Sequence, residues 1–400
     1  MDDPLKDDTN PFAAMDPEMA AHPQPVFKVM RDTMPVMPIE GLGVVLTRRA
    51  DVEQVLRHPE VFSSNIDAVD LKNIRPLIPL QIDPPDHKKF RRLLDPIFAP
   101  RKMALLEEQL TQAANVLIDG FIERGTANLG EDFSIPFPTH AFLGLLGLPL
   151  EELPSLLAMK SGIIRPNVVT GSPYGSREAE ELQAKTAESI YEYFNAVLDE
   201  HEAERREDIL GAFLEATVDD HRLSREDILD ICFLFLIAGL DTVTATLDCM
   251  FGYLATHPEQ RRQIAEDPSI IPMAVEELLR WESPVMGIVR VALEDADVGG
   301  CPVRKDDRVM VMLGSVNTDE AEMPDAGVVR FDRAENRHLA FGGGVHRCLG
   351  SNLARLELRV ALREWHRRIP EYRVSDGHEL LYNGGIRCID YFPMEFTAAT

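Results

Sequence analysis

Apolar residues recur along most of this chain at the three- and four-residue spacing of amphipathic helices. In the clearest case, Leu349, Leu353, Leu356 and Val360 fall on one stripe, and Pro370 prevents the helix from continuing. The same periodicity predicts helices over Ala50–His58, Pro85–Ile97, Met103–Glu123, Arg177–Arg206, Ser224–His257, Pro258–Asp267, Ser269–Trp281 and Ser351–Arg368.

Two regions change to the alternating pattern of β-strands. Pro38–Arg48 has a glycine-containing turn between short β-type runs and predicts a hairpin. Met286–Val311 alternates and is interrupted by Gly, Pro and Asp-Asp, as strands of a small sheet are. We find no internal repeat and no linker between separate cores. The pattern predicts a mainly α fold with a minor β region, in one domain over residues 1–400. Residues 1–26 are expected to be an N-terminal extension that wraps the surface or is partly mobile.

Composition indicates the class of protein and its cellular location. With 45% hydrophobic and 27% charged residues, the chain has the composition of a globular protein with a sizeable core. The longest strongly apolar stretch, Ile231–Leu240, is about half a membrane span long and is followed by Asp241. Residues 1–10 are acidic and polar, unlike a signal or an anchor. We therefore expect a cytoplasmic protein with no membrane anchor.

Charge and cysteine content argue against nucleic-acid-binding, disulfide-rich and zinc-ribbon proteins. The 41 Lys and Arg residues stand against 67 Asp and Glu, and the net charge of −26 repels phosphate backbones, so we expect no nucleic-acid partner. The five cysteines are odd in number, scattered and without a C-x-x-C pair. Neither a disulfide framework nor a zinc ribbon is indicated.

Cys348 has the most informative surroundings of the five. It lies in the segment FGGGVHRCLG, residues 341–350, directly before the predicted helix Ser351–Arg368. Three consecutive glycines let the backbone approach a flat or bulky group closely. A helix N-terminus favours a thiolate and offers N–H groups to the sulfur, and a thiolate held in this way is suited to a metal.

Three other interpretations of this segment compete with a metal-bound thiolate. A buried structural cysteine is the more frequent role for an arbitrary cysteine. A zinc site would need a fourth ligand at a usual spacing beside His338, His346 and Cys348, which the sequence does not offer. A phosphate-binding loop would need Lys-Ser or Lys-Thr after the glycines, and neither pair is present.

The complete ten-residue string resembles the haem-binding signature of the cytochrome P450 family, F-G-x-G-x-H-x-C-x-G. The matching residues are Phe341, Gly342, Gly344, His346, Cys348 and Gly350. This motif is highly specific, and the resemblance extends from about residue 40 to the end of the chain. It implies the cytochrome P450 fold, a haem b between the oxygen-activation helix and the cysteine-loop helix, and the Cys348 thiolate as axial ligand of the iron.

The segment Ala238–Thr242 places an acid and a hydroxyl residue within an otherwise apolar helix. Its sequence, AGLDT, resembles the family's oxygen-activation motif. The resemblance implies that Gly239 makes room for dioxygen and that Asp241 and Thr242 relay protons. The alternative from the residues alone is a kinked helix in which Thr242 bonds back to a carbonyl group one turn earlier.

Two further motifs agree with the family. Glu277 and Arg280 are similar to its E-x-x-R pair, with Arg333 as the later partner, and this resemblance implies a structural role; the alternative is a solvated surface ion pair. DPPDHKKFRR, residues 83–92, resembles the helix whose His and Arg bind the haem propionates, which implies that role for His87 and Arg91. Arg290 and His346 match the remaining propionate contacts.

The implied activity is insertion of one oxygen atom from O₂ into a lipophilic small molecule, such as a terpenoid, a steroid or a fatty acid. By position, we expect the pocket to involve residues 63–81, 159–169, 235–242, 285–289 and 384–386, and in particular Val285, Met286, Ile288, Leu236, Ala238 and Ile386. Two alternatives stay open: a peroxide-driven haem-thiolate peroxygenase, and a non-enzymatic haem sensor or carrier. Steady turnover with a reductase and O₂ would separate all three.

Electrons are expected to come from a separate ferredoxin and ferredoxin reductase, because 400 residues leave no room for a fused flavin or iron–sulfur domain. The protein is expected to be a monomer. Basic residues concentrate around the segments that should form the cysteine side of the haem, which predicts a docking patch for an acidic ferredoxin. These residues are Lys88, Lys89, Arg92, Arg347, Arg355 and Arg359. The alternative is a solvated surface in which Arg355 and Arg359 pair with Glu357.

Overall fold

The segments with the strongest apolar periodicity form helices in the computed structural model, which describes residues 17–39, 43–66, 71–173, 175–206, 208–218 and 221–399. Helices dominate the described part of the chain. They are α1 Pro17–Ala21, α2 Pro23–Thr33, α3 Arg49–Arg57, α4 Asp86–Leu94, α5 Pro100–Met103, α6 Glu107–Asp119, α7 Pro136–Leu146, α8 Leu153–Ile164, α9 Pro166–Thr170, α10 Arg177–Ala203, α11 Ile209–Glu215, α12 Arg225–Thr256, α13 Pro258–Glu266, α14 Ile271–Glu282, α15 Leu313–Val316 and α16 Ser351–Arg368.

Short strands form small sheets at the edge of the helical body. They are β1 Val36–Ile39, β2 Gly43–Leu46, β3 Phe62–Ser63, β4 Thr126–Asn128, β5 Thr217–Val218, β6 His221–Arg222, β7 Ile288–Ala292, β8 Ala296–Val298, β9 Cys301–Val303, β10 Arg308–Val311, β11 Glu371–Val374, β12 Tyr382–Asn383, β13 Cys388–Ile389 and β14 Pro393–Thr397. The largest sheet has the order β1-β2-β10-β7-β3. The prediction of a mainly α fold with a minor β region is confirmed.

Local signals explain where several elements begin and bend. The Ser224 hydroxyl accepts a hydrogen bond from the Asp227 N–H at 3.1 Å, and the Asp227 carboxylate accepts one from the Ser224 N–H at 2.9 Å. This capping box starts α12 within one residue of the predicted position. The hairpin predicted over residues 38–48 is formed by β1 and β2, with residues 40–42 outside the described residues. At Gly43, where φ is +94°, a Cβ atom would lie 2.0 Å from the carbonyl oxygen of Arg308, so glycine is required.

Helix α12 runs through the middle of the main core. Its length and composition would allow it to cross a membrane, but 83% of its most apolar 18-residue window is buried inside the protein. It packs against α7, α8, α10, α14 and β13. Because this helix is buried along most of its length, its apolar character is that of a central core element.

The predicted N-terminal extension is only partly described, and the described part is integrated into the fold. Residues 17–33 form α1 and α2, and Phe27 is buried in a satellite core with Met286 and Met310. The Arg387 guanidinium donates to the carbonyl oxygens of Ala20 and Ala21. Residues 1–16 lie outside the described residues. From Pro17 onward, therefore, this segment belongs to the body of the protein.

Candidate active site

Cys348 stands at the end of a tight loop, directly before the first turn of α16. Its N–H donates to the carbonyl oxygen of Phe341 at 2.9 Å, which closes the loop. Gly344 has a φ of +65°, and a Cβ there would lie 2.0 Å from the Leu56 carbonyl oxygen, so no other residue fits at this position. The Gly350 N–H bonds to the Cys348 sulfur, and the Gly350 carbonyl accepts the Ala354 N–H at 2.9 Å.

The Cys348 side chain is accessible yet surrounded by protein atoms, as expected for the wall of an internal cleft. Removal from water raises the pKa of its thiol, whereas the Gly350 N–H and the positive charges of Arg91, Arg347 and Arg355 act to lower it. Three cations and one N–H group thus stand ready to stabilise a thiolate.

A cluster of buried, unsatisfied nitrogen atoms lies beside this loop. The rings of His87 and His346 are 4.2 Å apart between centroids. Among the described residues, neither ring nitrogen of His87 has a hydrogen-bond partner, and neither does Nε2 of His346. Burial, together with the charges of His87 and Arg290, lowers the pKa of His346 to about 3. Unpaired buried nitrogens are costly, so this cluster requires a bound group to accept their hydrogen bonds.

Arg290 contributes a cation to the same cluster. Its side chain is 8% exposed, and its Nη1 donates to the carbonyl oxygen of its neighbour Val289 at 2.8 Å. Burial lowers the pKa of Arg290 to about 10, although the Asp83 carboxylate opposes this effect. Asp83 also lies 3.9 Å from Nε2 of His346. The carboxylate of Asp83 is thus shared by several groups that are positively charged or can become so. This excess of positive charge favours the binding of a further negatively charged group.

Arg91 connects α4 to the cysteine loop. Its Nε donates to Asp95 at 2.7 Å, and its Nη1 donates to the carbonyl oxygen of Arg347, also at 2.7 Å. The residue before Cys348 is therefore fixed to the helix that carries His87. All four residues expected to contact the propionates lie around this one region.

The centre of α12 presents Ala238 and Gly239 to accessible space. A Cβ at Gly239 would meet only Phe142, at 3.7 Å, so there is room beside the helix here. The Thr242 hydroxyl donates to the Ala238 carbonyl oxygen at 2.8 Å. This is the hydrogen bond that the structural alternative predicted, and α12 is continuous through it over Arg225–Thr256.

Asp241 is 2% exposed and is opposed by two cations that the sequence analysis did not single out. Lys160 Nζ lies 3.4 Å from Asp241 Oδ1, and Arg165 Nη2 lies 3.9 Å from the same atom. Both belong to residues 159–169, which were assigned only to the pocket. Lys160 could have been noticed, because it is the one charged residue of α8, LPSLLAMKSGII.

Arg165 links Asp241 to the protein surface. Its Nη1 lies 2.5 Å from Asp390, whose side chain is 53% exposed. Its Nη2 donates to the Cys388 sulfur at 2.9 Å. A connected series of polar groups therefore leads from the solvent to the buried acid on α12.

The predicted pocket residues differ in their exposure. Val285 and Ile386 form an isolated antiparallel bridge, and together with Ala238 they retain accessible surface. Two predictions were wrong. Met286 and Leu236 have no exposed surface, because Met286 packs with Phe27, Val45, Met310 and Met312, and Leu236 packs within the main core. Ile288 is partly buried against the cluster that contains Val44 and Val309.

Glu277 is the centre of a buried ionic network. Arg280 donates to it at 2.9 and 2.7 Å, and Arg333 at 3.0 and 3.2 Å. The Asn336 amide and the Arg330 N–H also donate to it. Glu277 is 1% exposed, so the alternative of a solvated surface pair does not apply. The network joins α14 to the segment that precedes the cysteine loop.

Comparison with known proteins places these features in a family. The sequence profile described as "Cytochrome P450" matches residues 173–365. The chain is 36% identical over 354 residues to "Probable cytochrome P450 127A1" of Sinorhizobium fredii, covering 86% of this chain and 81% of that protein. The structure of CYP109Q5 from Chondromyces apiculatus superposes with a TM-score of 0.86 at 29% identity, over 96% of this chain and 97% of that one. CYP109E1 from Bacillus megaterium, solved in complex with testosterone, superposes with a TM-score of 0.85 at 25% identity, over 95% and 99%.

Fold and site together are those of a haem-thiolate oxidoreductase. The chain belongs to the cytochrome P450 family. It is a monooxygenase whose cofactor is haem b with an axial cysteine thiolate. The residues present fit that group, since haem b carries two carboxylates for the unsatisfied cluster around His87 and an iron that accepts a thiolate.

Proposed function

We propose that the protein inserts one oxygen atom from O₂ into a lipophilic small molecule, with electrons supplied by a separate ferredoxin and ferredoxin reductase. The observation that carries this proposal is the buried acid Asp241, flanked by two cations and connected to the surface. A haem protein that only binds a ligand or carries an electron has no use for such a proton route. The same feature weighs against a peroxide-driven enzyme.

Cys348 would be the axial ligand of the haem iron, and His87, Arg91, Arg290 and His346 would bind the propionates. The unsatisfied ring nitrogens and the buried Arg290 support this assignment. Phe341, Gly342 and Gly350 would shape the loop under the macrocycle. When bound, the haem supplies the oxidation of the substrate by O₂, with the thiolate favouring O–O cleavage.

Thr242 and Asp241 would deliver protons to the cleft. In the present geometry the Thr242 hydroxyl donates to Ala238, so it must rotate before it can donate toward accessible space. Asp241 would be reprotonated by solvent that enters beside Lys160 and Arg165, because Arg165 extends to the surface residue Asp390 and itself keeps its proton. Gly239 would keep space open beside these two groups.

The proposed substrate is a lipophilic small molecule such as a terpenoid, a steroid or a fatty acid. Val285, Ala238 and Ile386 give the accessible wall an apolar surface, which excludes water and favours lipophilic ligands. The complex of CYP109E1 with testosterone supports this choice for a structurally similar protein.

We also propose that a cytoplasmic ferredoxin docks on the cysteine side, over Lys88, Lys89, Arg92 and Arg347. Lys88, Lys89 and Arg92 are exposed on α4, and Arg347 is exposed next to Cys348. Arg355 does not belong to this patch, because its guanidinium is bound to Glu276. Glu357 is fully buried and is not the partner that the solvated-surface alternative assumed.

Two measurements test the proposed function. A spectral titration of the haem-loaded protein with steroids, terpenoids and fatty acids should show the Soret shift that follows loss of iron-bound water for at least one class. Turnover of that ligand should then require O₂, a ferredoxin and its reductase. Product formation with peroxide alone at an equal rate would favour the peroxygenase, and absence of product under both conditions would favour a sensor or carrier.

A further inference from the structure

We propose that Glu276, Arg355 and His338 form a positioning unit that holds the cysteine loop in the shape that presents the Cys348 sulfur to the haem iron. This inference rests on the proposed assignment of Cys348 as the iron ligand. The three residues come from α14, from α16 and from the segment before the loop. None of them was given this role by the sequence motifs.

The centre of the unit is a bidentate ion pair. Arg355 Nε donates to Glu276 Oε1 at 2.6 Å, and Arg355 Nη2 donates to Oε2 at 2.8 Å. The side chain of Arg355 is 22% exposed and that of Glu276 is 30% exposed, so solvent screens the pair only in part. Although burial opposes it, the bonds from His338 and Arg355 lower the pKa of Glu276 to about 2. The carboxylate is therefore charged at any working pH.

His338 attaches this ion pair to the backbone of the loop. Its Nε2 lies 3.0 Å from Glu276 Oε2, and its Nδ1 accepts the N–H of Ala340 at 3.2 Å. Because Nδ1 is an acceptor, the ring proton resides on Nε2 and is donated to Glu276. The side chain is 3% exposed, which fixes this tautomer in a nearly dry environment.

Arg355 also contacts the aromatic residue of the cysteine loop. Its guanidinium carbon lies 4.4 Å from the centroid of the Phe341 ring, within the range of a cation–π interaction. The Phe341 carbonyl oxygen in turn accepts the Cys348 N–H at 2.9 Å. One guanidinium therefore acts on the cysteine through the geometry of the loop.

The two adjacent carboxylates of α14, Glu276 and Glu277, bind different residues of this region. Glu277 binds Arg280 and Arg333. Glu276 binds His338 and Arg355, which contact Ala340 and Phe341 of the cysteine loop. Loss of the Glu276 unit should therefore loosen the loop while leaving the Glu277 network in place.

Glu276→Gln separates positioning from a simple effect of charge, because the two predict opposite results. If Glu276 acted only through its field, removal of a negative charge would favour the thiolate. If it positions Arg355 and His338, its removal frees both residues and weakens thiolate coordination. The measurement is the ferrous carbonyl complex of the haem-loaded protein, whose red-shifted Soret band reports the thiolate, followed over time in mild denaturant.

We expect Arg355→Gln and Glu276→Gln both to lose the red-shifted band roughly tenfold faster than the wild type, as for the loss of a charge-assisted hydrogen bond. Arg355→Lys, which keeps the charge but not the fork, should be intermediate. Arg359→Gln removes an equal charge one turn along α16 and should behave as the wild type. Circular dichroism of the haem-loaded variants identifies any that fail to fold, and Arg355→Lys then carries the comparison.

Slower or unchanged loss of the band in Glu276→Gln would overturn the proposal. So would equal rates for Arg355→Gln and Arg359→Gln. A wild-type protein without the red-shifted band would instead contradict the assignment of Cys348, so the two failures are distinguishable.

Discussion

The ammonium group of Lys160 lies 3.4 Å from the carboxylate of Asp241, and both side chains are less than a tenth exposed. The positive charge of Lys160, on α8, thus lies beside the carboxylate of Asp241, in the middle of α12. Arg165 adds a second cation at 3.9 Å and continues to Asp390 at the surface. The buried carboxylate is therefore opposed by two positive charges, and one of these side chains reaches the surface.

Thr242→Ala should uncouple electron consumption from product formation. The variant should bind substrate as the wild type does, yet form several-fold less product per NAD(P)H and release the difference as hydrogen peroxide, because the hydroxyl that delivers the proton is missing. Thr246→Ala is the matched control, since Thr246 bonds to the Thr242 carbonyl oxygen one turn further along the same helix. Equal coupling in both variants would contradict the role of Thr242.

Cys348→Ala should abolish the red-shifted Soret band of the ferrous carbonyl complex, because no other thiolate replaces the ligand. Haem content should also fall, while the helical circular dichroism remains. Cys301→Ala, which alters another incompletely buried thiol, should keep the band. A Cys348→Ala protein that retains it would reject this ligand.

Asp248 should make the protein less stable as the pH rises from about 4 to about 7. Burial raises the pKa of this carboxyl from 3.8 to about 7, against the opposing effects of the Ser134 hydroxyl and the Ile389 N–H. Between these values the folded state binds the proton and the unfolded state does not, so the free energy of unfolding falls with pH.

Asp248→Asn should flatten this part of the pH profile, because the amide keeps an oxygen for Ser134 and cannot ionise. The measurement is chemical denaturation at several pH values. Asp32→Asn, at an exposed aspartate, should leave the wild-type slope unchanged. Parallel profiles for the wild type and Asp248→Asn would show that this carboxyl does not control the slope.

Arg347→Glu should slow reduction by a ferredoxin by about tenfold at low ionic strength, with little change in substrate affinity, if the proposed patch guides docking. The wild-type rate should fall as salt is added, because screening shortens the range of attraction. Stopped-flow reduction measures both. Arg177→Glu, at an 87% exposed arginine on α10, is the control. A rate insensitive to salt and to Arg347→Glu would remove the patch from the docking surface.

Sequence periodicity located the helices that bury one stripe and expose another. The predicted helix Ser351–Arg368 agrees with α16 at both ends. Helix α7 was not predicted, because it is short and apolar on most sides, so it offers neither a stripe nor the length and capping signal of α12. The segment predicted as one helix over Met103–Glu123 is divided, since a tight turn at Ala104–Leu106 separates α5 from α6.

Motif residues were found because the family pattern is local in sequence, whereas their partners are distant along the chain. Lys160 lies 81 positions before Asp241, and Glu276 lies 79 before Arg355. Because the contact with Glu276 cannot be read from the sequence, Arg355 resembled an exposed surface cation and was assigned to the docking patch. Met286 was assigned to the pocket by position alone, and the sequence gives no information on which face of its segment turns into the satellite core.

The contacts of Arg387 also influence the order in which parts of the chain fold during synthesis. Its guanidinium binds the carbonyl groups of Ala20 and Ala21, which precede it by 367 and 366 positions. Helix α1 therefore cannot gain these bonds until residue 387 has left the ribosome. Contacts of such long sequence separation close a large loop and form late. Helix α1 should consequently become protected against proteolysis late, after the nascent protein is released.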